Sequence, residues 1–94
     1  MTTSAVLANA LTLFGPSGEH WAQGTARMAG FCAIQAIFRV SDDDATAAKK
    51  AIRVLRRVLQ ARVIVWNDHK NRTFAQVKAG FLKAIAIAKR EEAK

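Results

Sequence analysis

The chain lacks tyrosine altogether, has one cysteine and one proline, and sets only seven acidic side chains against fifteen basic ones in 94 residues. Each scarcity excludes something. A single cysteine, Cys32, rules out an intrachain disulfide and a four-cysteine zinc site, and a reducing compartment, the cytoplasm, is the expected location. Apolar runs fall short of the ~18 residues that a membrane span needs, so no membrane partner is expected. The stretch from Ala5 to Phe14 is broken by Asn9 and Thr12, and Met1-Thr2-Thr3-Ser4 carries no basic charge, which argues against a secretory signal. Four of the five glycines and the lone Pro16 lie between residues 15 and 30, so irregular backbone is expected to concentrate there.

What is present is apolar material and positive charge. Apolar residues make up 51% of the chain, enough for one core, and the length suits one domain over residues 1–94. The formal net charge is +8. It is unevenly placed. Residues 1–41 carry Arg27, Arg39 and Glu19, and Asp42, Asp43 and Asp44 follow. Residues 45–90 then hold twelve basic side chains and one acid, Asp68. The basicity is interleaved with apolar residues and so belongs to folded elements rather than to a tail.

Periodicity predicts a mainly α, single-domain bundle of three to four short helices with one irregular segment over 15–30. A first helix runs from about Ser4 to Phe14, capped by Thr3 or Ser4, with Leu7, Ala10, Leu11 and Phe14 on one stripe and a Gly15-Pro16 stop. A second, almost wholly apolar, covers Phe31 to Val40 and is expected to be buried. A third covers about 42–62, with Ser41 as N-cap and Asp44 completing a capping box. Taking 100° per residue from Ile52, Ala48, Ala51, Val54, Leu55, Val58 and Leu59 fall between about 200° and 340°, while Lys49, Lys50, Arg53, Arg56, Arg57 and Gln60 fall between about 40° and 160°. Val63 to Trp66 reads as a short extended piece that packs Trp66 into the core. Thr73 and Gln76 form a capping box for a last helix whose stripe is Phe74, Val77, Phe81, Ala84, Ile85 and Ala88. A frayed tail is expected over 91–94.

Three segments carry a resemblance. Trp21-Ala22-Gln23-Gly24, then Cys32-Ala33-Ile34-Gln35-Ala36-Ile37, then Trp66-Asn67-Asp68 with Arg72-Thr73 resemble, in that order, an uncharacterised family of small bacterial and phage-borne proteins. The segments read W-x-Q-G, C-x-x-x-A-[IL] and W-N-D-x-x-x-R-T. The resemblance spans roughly Leu7 to Ile85. It implies a fold and no activity, because that family is one of unknown function. Trp21, Gln23, Gly24, Cys32, Trp66, Asn67, Asp68, Arg72 and Thr73 are expected to be structural: Trp66 in the core, Asp68 accepting from Thr73 or nearby amides and pairing with Arg72, and the turn fixed ahead of a helix.

Chemistry-bearing residues are sparse. Cys32, His20, His69 and Asp68 have neither the spacing of a zinc motif nor a sequence-placed base, and Gly15-Pro16-Ser17-Gly18 lacks the ending of a phosphate loop. No enzyme activity and no cofactor is expected. The basic face is the stronger feature. Lys49, Lys50, Arg53, Arg56 and Arg57, with Arg62 near the end, present cations without an intervening acid, whereas surface helices commonly mix signs. Nucleic acid is the expected partner. The alternative is a protein-interaction module, an accessory factor or inhibitor from a phage or mobile element, docking on an acidic protein surface. Self-association as a homodimer through an exposed Ile87 is compatible with either.

Overall fold

Phe14 and Phe81 meet edge to face with ring centroids 5.6 Å apart, and Phe74 packs edge-on against Phe14 at 5.9 Å. Around them the computed structural model, which describes residues 1–24 and 30–94, arranges five helices. They are α1 (Thr3–Leu13), α2 (Ala33–Val40), α3 (Ala45–Leu59), α4 (Val63–Asn67) and α5 (Phe74–Glu92). The mainly helical class is as expected, with α4 as an added single turn. Among the described residues there is no strand, only an isolated parallel bridge between Trp21 and Phe31. Residues 25–29 of the expected irregular segment, Arg27 included, lie outside the described residues.

Helices α1 and α5 run antiparallel: Phe14 at the end of α1 meets Phe74 and Phe81 early in α5, while Ser4 at its start meets Glu92 at the end of α5. Leu7, Ala10 and Phe14 are buried as the stripe requires, and Val6 joins them. Thr2, one residue earlier than expected, caps α1 by accepting from the Ala5 amide at 3.2 Å. Ser4 is occupied elsewhere: its hydroxyl and its amide donate to Glu92 at 2.6 and 3.0 Å. Gly15 ends the helix with φ +85°, a left-handed conformation that costs glycine nothing. Gly18, at φ +77°, lies so close under the Phe74 ring that an added Cβ would overlap it. Gly18→Ala is therefore expected to destabilise the fold by about 1–3 kcal/mol, read as a lower denaturation midpoint.

The expected third helix over 42–62 is shorter. Ser41 belongs to the end of α2, its Oγ donating to the Ile37 carbonyl at 2.7 Å, and the N-cap of α3 is Asp44, which accepts from the Ala47 amide at 3.0 Å. A serine that closes one helix is not free to open the next, and Asp42 takes φ 51° to turn the chain between them. Gln60, also left-handed at φ 54°, stops α3 short of Arg62. The expected extended piece near Trp66 is helical instead. An isolated extended segment would leave its amides without ladder partners. One helical turn supplies them: Trp66 N donates to Arg62 O at 2.9 Å and Asp68 N to Ile64 O at 3.0 Å. Helix α2 begins at Ala33 rather than Phe31, because Phe31 is held extended by Phe31 N to His20 O at 2.7 Å and Ala22 N to Phe31 O at 2.9 Å. Its Phe38 is 42% exposed, against the expectation of burial all round.

Thr73 and Gln76 form the expected capping box of α5. Val77, Phe81, Ala84 and Ala88 are buried; Phe74 and Ile85 are half-buried against the same core. Glu91 and Glu92, expected in a frayed tail, continue α5 and each makes a contact. Glu91 pairs with Arg57 at 2.9 Å, an exposed bridge worth about 0–1 kcal/mol. The Ser4 hydroxyl, then the Ser4 amide, hold the Glu92 carboxyl below its ordinary value of 4.5. A lowered folded-state value means stability that is fully present above 4.5 and is lost as pH falls through the lowered value. Denaturation midpoints of the parent and of Glu92→Gln are thus expected to differ near neutrality and to converge in acid. A gap that stays constant with pH would remove Glu92 from the account.

Candidate functional site

Two features stand out, a buried polar node and an exposed basic ridge. The node is Asn67, which sequence reading placed in a turn and which is fully buried. Its Oδ1 accepts from Trp21 Nε1 at 2.8 Å and from the Ala33 amide at 3.1 Å. Its Nδ2 donates to Ala22 O at 3.1 Å and to Asp68 Oδ1 at 3.0 Å. All four side-chain bonds are made, and the partners are obligate donors on one side and acceptors on the other, so the amide has one orientation. Gln23 Nε2 spans the carbonyls of Asn67 and His69, both at 2.8 Å, and Gly24 N donates to Asp68 Oδ1 at 2.8 Å. The three segments singled out in the sequence are thereby joined in one network.

Two expected contacts are replaced. Asp68 binds Gly24 and Asn67, not Thr73 or Arg72. Arg72 instead lies over Trp66, its guanidinium carbon 3.8 Å from the ring centroid, and its Nε donates to Trp66 O at 2.9 Å. Trp66 packs against the core as expected but is only half-buried, with the cation on its ring. Asn67 could have been suspected from its place, a lone amide closing the apolar run Val63 to Trp66, but its partners are not visible locally.

The ridge is the outer face of α3. The helical phase divides it as expected: Ala47, Ala48, Ala51, Val54 and Leu55 are buried, while Lys49, Lys50, Arg53, Arg56 and Arg57 are exposed. Arg62 is exposed in the link to α4. Among the described residues the only salt bridge is that of Arg57 with Glu91, so the other five cations have no carboxylate within bridging distance. At 1.5 Å rise per residue the five helical cations span about 12 Å of axis. The ridge is bordered on both sides by grooves with apolar floors. One, between α3 and α5, is lined by Val54, Arg57, Val58, Gln60, Lys83 and Ile87; Ile87 is half-buried there rather than exposed. The other, where α2, α3 and α4 meet, is lined by Ile34, Ile52, Arg56, Arg62, Val63 and Ile64. A further cleft between α1 and α5 shares no residue with α3 and has Lys78 as its one cation.

The remaining candidates are not assembled into a site. Among the described residues no three of His, Cys, Asp and Glu are grouped to hold a metal ion. Cys32 is half-buried at the start of α2, its amide donating to Gln35 Oε1 at 3.0 Å. His69 Nδ1 accepts from the Asn71 amide at 3.2 Å. In the Gly15 to Gly18 turn the Ser17 amide is taken by Glu19 at 2.6 Å. Among the described residues no helix is long and apolar enough to cross a membrane.

No curated protein and no solved structure matches the chain. A protein family does: residues 1–87 match the Family of unknown function (DUF6197), and the chain belongs to that family.

Proposed function

We propose that this chain is a small, non-catalytic, cytoplasmic helical protein that binds nucleic acid through the outer face of α3. The observation that carries the reading is the run of exposed cations Lys49, Lys50, Arg53 and Arg56 without a carboxylate partner among the described residues, on a helix whose opposite face is committed to the core. Arg57 and Arg62 extend the same surface. Fixed on a rigid element, such cations lose little side-chain freedom beyond their own rotamers when they meet phosphate. The face is convex and carries no aromatic side chain on which unstacked bases would lie, so a duplex backbone suits it better than a single strand. Contacts of this kind position a protein on a duplex without reading sequence.

The test is a titration of the full chain with a random-sequence duplex and with a single strand of equal length, at about 50 and 200 mM salt. Duplex binding that is tight at low salt and steeply weakened by the higher salt supports the reading. Absence of duplex binding at low salt overturns it.

A further inference from the structure

We infer that the groove at the junction of α2, α3 and α4 is a docking site for an acidic segment of a partner protein that inserts one apolar side chain. The groove rests on different residues from the duplex-binding ridge and shares only its edge, Arg56 and Arg62, with it. Its floor and walls are aliphatic: Ile34 from α2, Ile52 from α3, and Val63 and Ile64 from α4. Its volume is ≈ 160 Å³, close to the ~150 Å³ of an apolar cavity that holds benzene, and so enough for one leucine-sized or phenyl-sized side chain. Arg56 and Arg62 stand in its lining as exposed cations with no carboxylate within bridging distance among the described residues.

Charge and surface together choose the occupant. A floor of four branched aliphatic side chains offers no donor or acceptor to the edge of a nucleobase, so it does not suit nucleic acid. Two fork-shaped guanidinium groups beside it suit carboxylates, which they can bind with two parallel hydrogen bonds each. An apolar anchor flanked by Asp or Glu satisfies both at once, and a small apolar centre with a charged rim is the usual anatomy of a transient protein interface. Ile64, a wall of the groove, is 53% exposed, so an incoming side chain can reach it from solvent.

The experiment uses three short synthetic peptides of Glu and Asp, one with a central leucine, one with serine in its place, and one with glutamate there. Burial of the leucine is expected to make the first bind roughly ten- to hundredfold more tightly than either control. Ile64→Asn, which removes the apolar wall without adding a charge beside Arg56 and Arg62, should abolish that preference while leaving duplex affinity within about twofold. Ile64 is half-exposed, so the substitution is compatible with folding, and circular dichroism verifies it. Arg62→Gln gives a second route, lowering affinity for all three acidic peptides without erasing the preference for leucine. Equal binding of the three peptides would show attraction by charge alone and overturn the site, as would absence of binding by the leucine peptide. If Ile64→Asn weakened the duplex as much as the peptide, the groove would belong to the nucleic-acid face and the inference would fail. A parent chain that binds the leucine peptide selectively but no duplex would retain the docking site and discard the ridge reading.

Discussion

Replacing Asn67 with alanine is expected to cost about 3–5 kcal/mol of folding stability, an unusually large loss for one polar side chain. The reason lies in what is left behind. Without Oδ1, the Trp21 indole N–H and the Ala33 amide lose their acceptor; without Nδ2, the Ala22 carbonyl loses its donor. A stranded buried group costs about 1–3 kcal/mol, and water reaches these only if the surrounding packing opens. A domain of this length commonly has about 5–14 kcal/mol in total, so the variant would keep only part of its stability. Asn67→Asp is expected to be at least as damaging, although it is nearly isosteric. An oxygen would then face Ala22 O and Asp68 Oδ1, two acceptors, and a charge would be buried. Urea denaturation followed by tryptophan fluorescence measures the effect. A loss below about 1 kcal/mol in Asn67→Ala would mean that the network does not hold the fold together.

A double-mutant cycle separates the node from ordinary packing. Trp21→Phe keeps most of the ring and removes the indole donor, so in the parent it leaves one acceptor site on Asn67 unused. In the Asn67→Ala background the same change removes a group already stranded. The two losses are therefore expected to be strongly non-additive, with a coupling of about 1–3 kcal/mol. Additive losses would place the cost in the cavity rather than in the hydrogen bond.

The parts of this fold that could be read from the sequence are those set within a few residues. The division of α3 into an apolar and a basic face follows from helical phase alone: Ala48, Ala51, Val54 and Leu55 are buried, Val58 and Leu59 are half-buried, and the five cations are exposed. The Thr73–Gln76 box and the Gly15 stop are equally local. The errors arise where two local readings compete. Ser41 and Asp44 are both competent caps, and only the end of α2, which claims the serine, decides between them. Val63 to Trp66 has strand-like composition, yet among the described residues no strand is available to pair with it, so a helical turn satisfies its backbone. The node and the Ser4–Glu92 clasp were not legible at all. Their partners lie 34 to 46 and 88 residues apart, and no periodicity records such a pairing. The recognisable segments around Trp21 and Trp66 proved to mark this node. Their side chains are largely spent on one another.

Neutralising Lys49, Lys50 and Arg53 together to glutamine is expected to remove most of the duplex affinity and most of its salt dependence. If the five cations of α3 each meet a phosphate, the logarithm of the binding constant should fall with the logarithm of salt at a slope of about −4.5. Between about 50 and 200 mM that slope corresponds to a several-hundredfold loss of affinity. The triple variant keeps two contacts, so its slope should flatten to about −1.8 and its loss over the same range to roughly tenfold. These three residues are exposed and make no ion pair among the described residues, and glutamine is a comparable helix former, so stability should change by less than about 0.5 kcal/mol. Arg57→Gln provides the internal comparison. Arg57 already holds Glu91, and meeting a phosphate there requires that bridge to be shared or broken. Its removal should therefore weaken binding less than removal of Arg53. The unaltered slope of a triple variant that still binds would place the phosphates elsewhere on the molecule. A slope that flattens in proportion to the charges removed would tie the excess positive charge of this chain to one face of one helix.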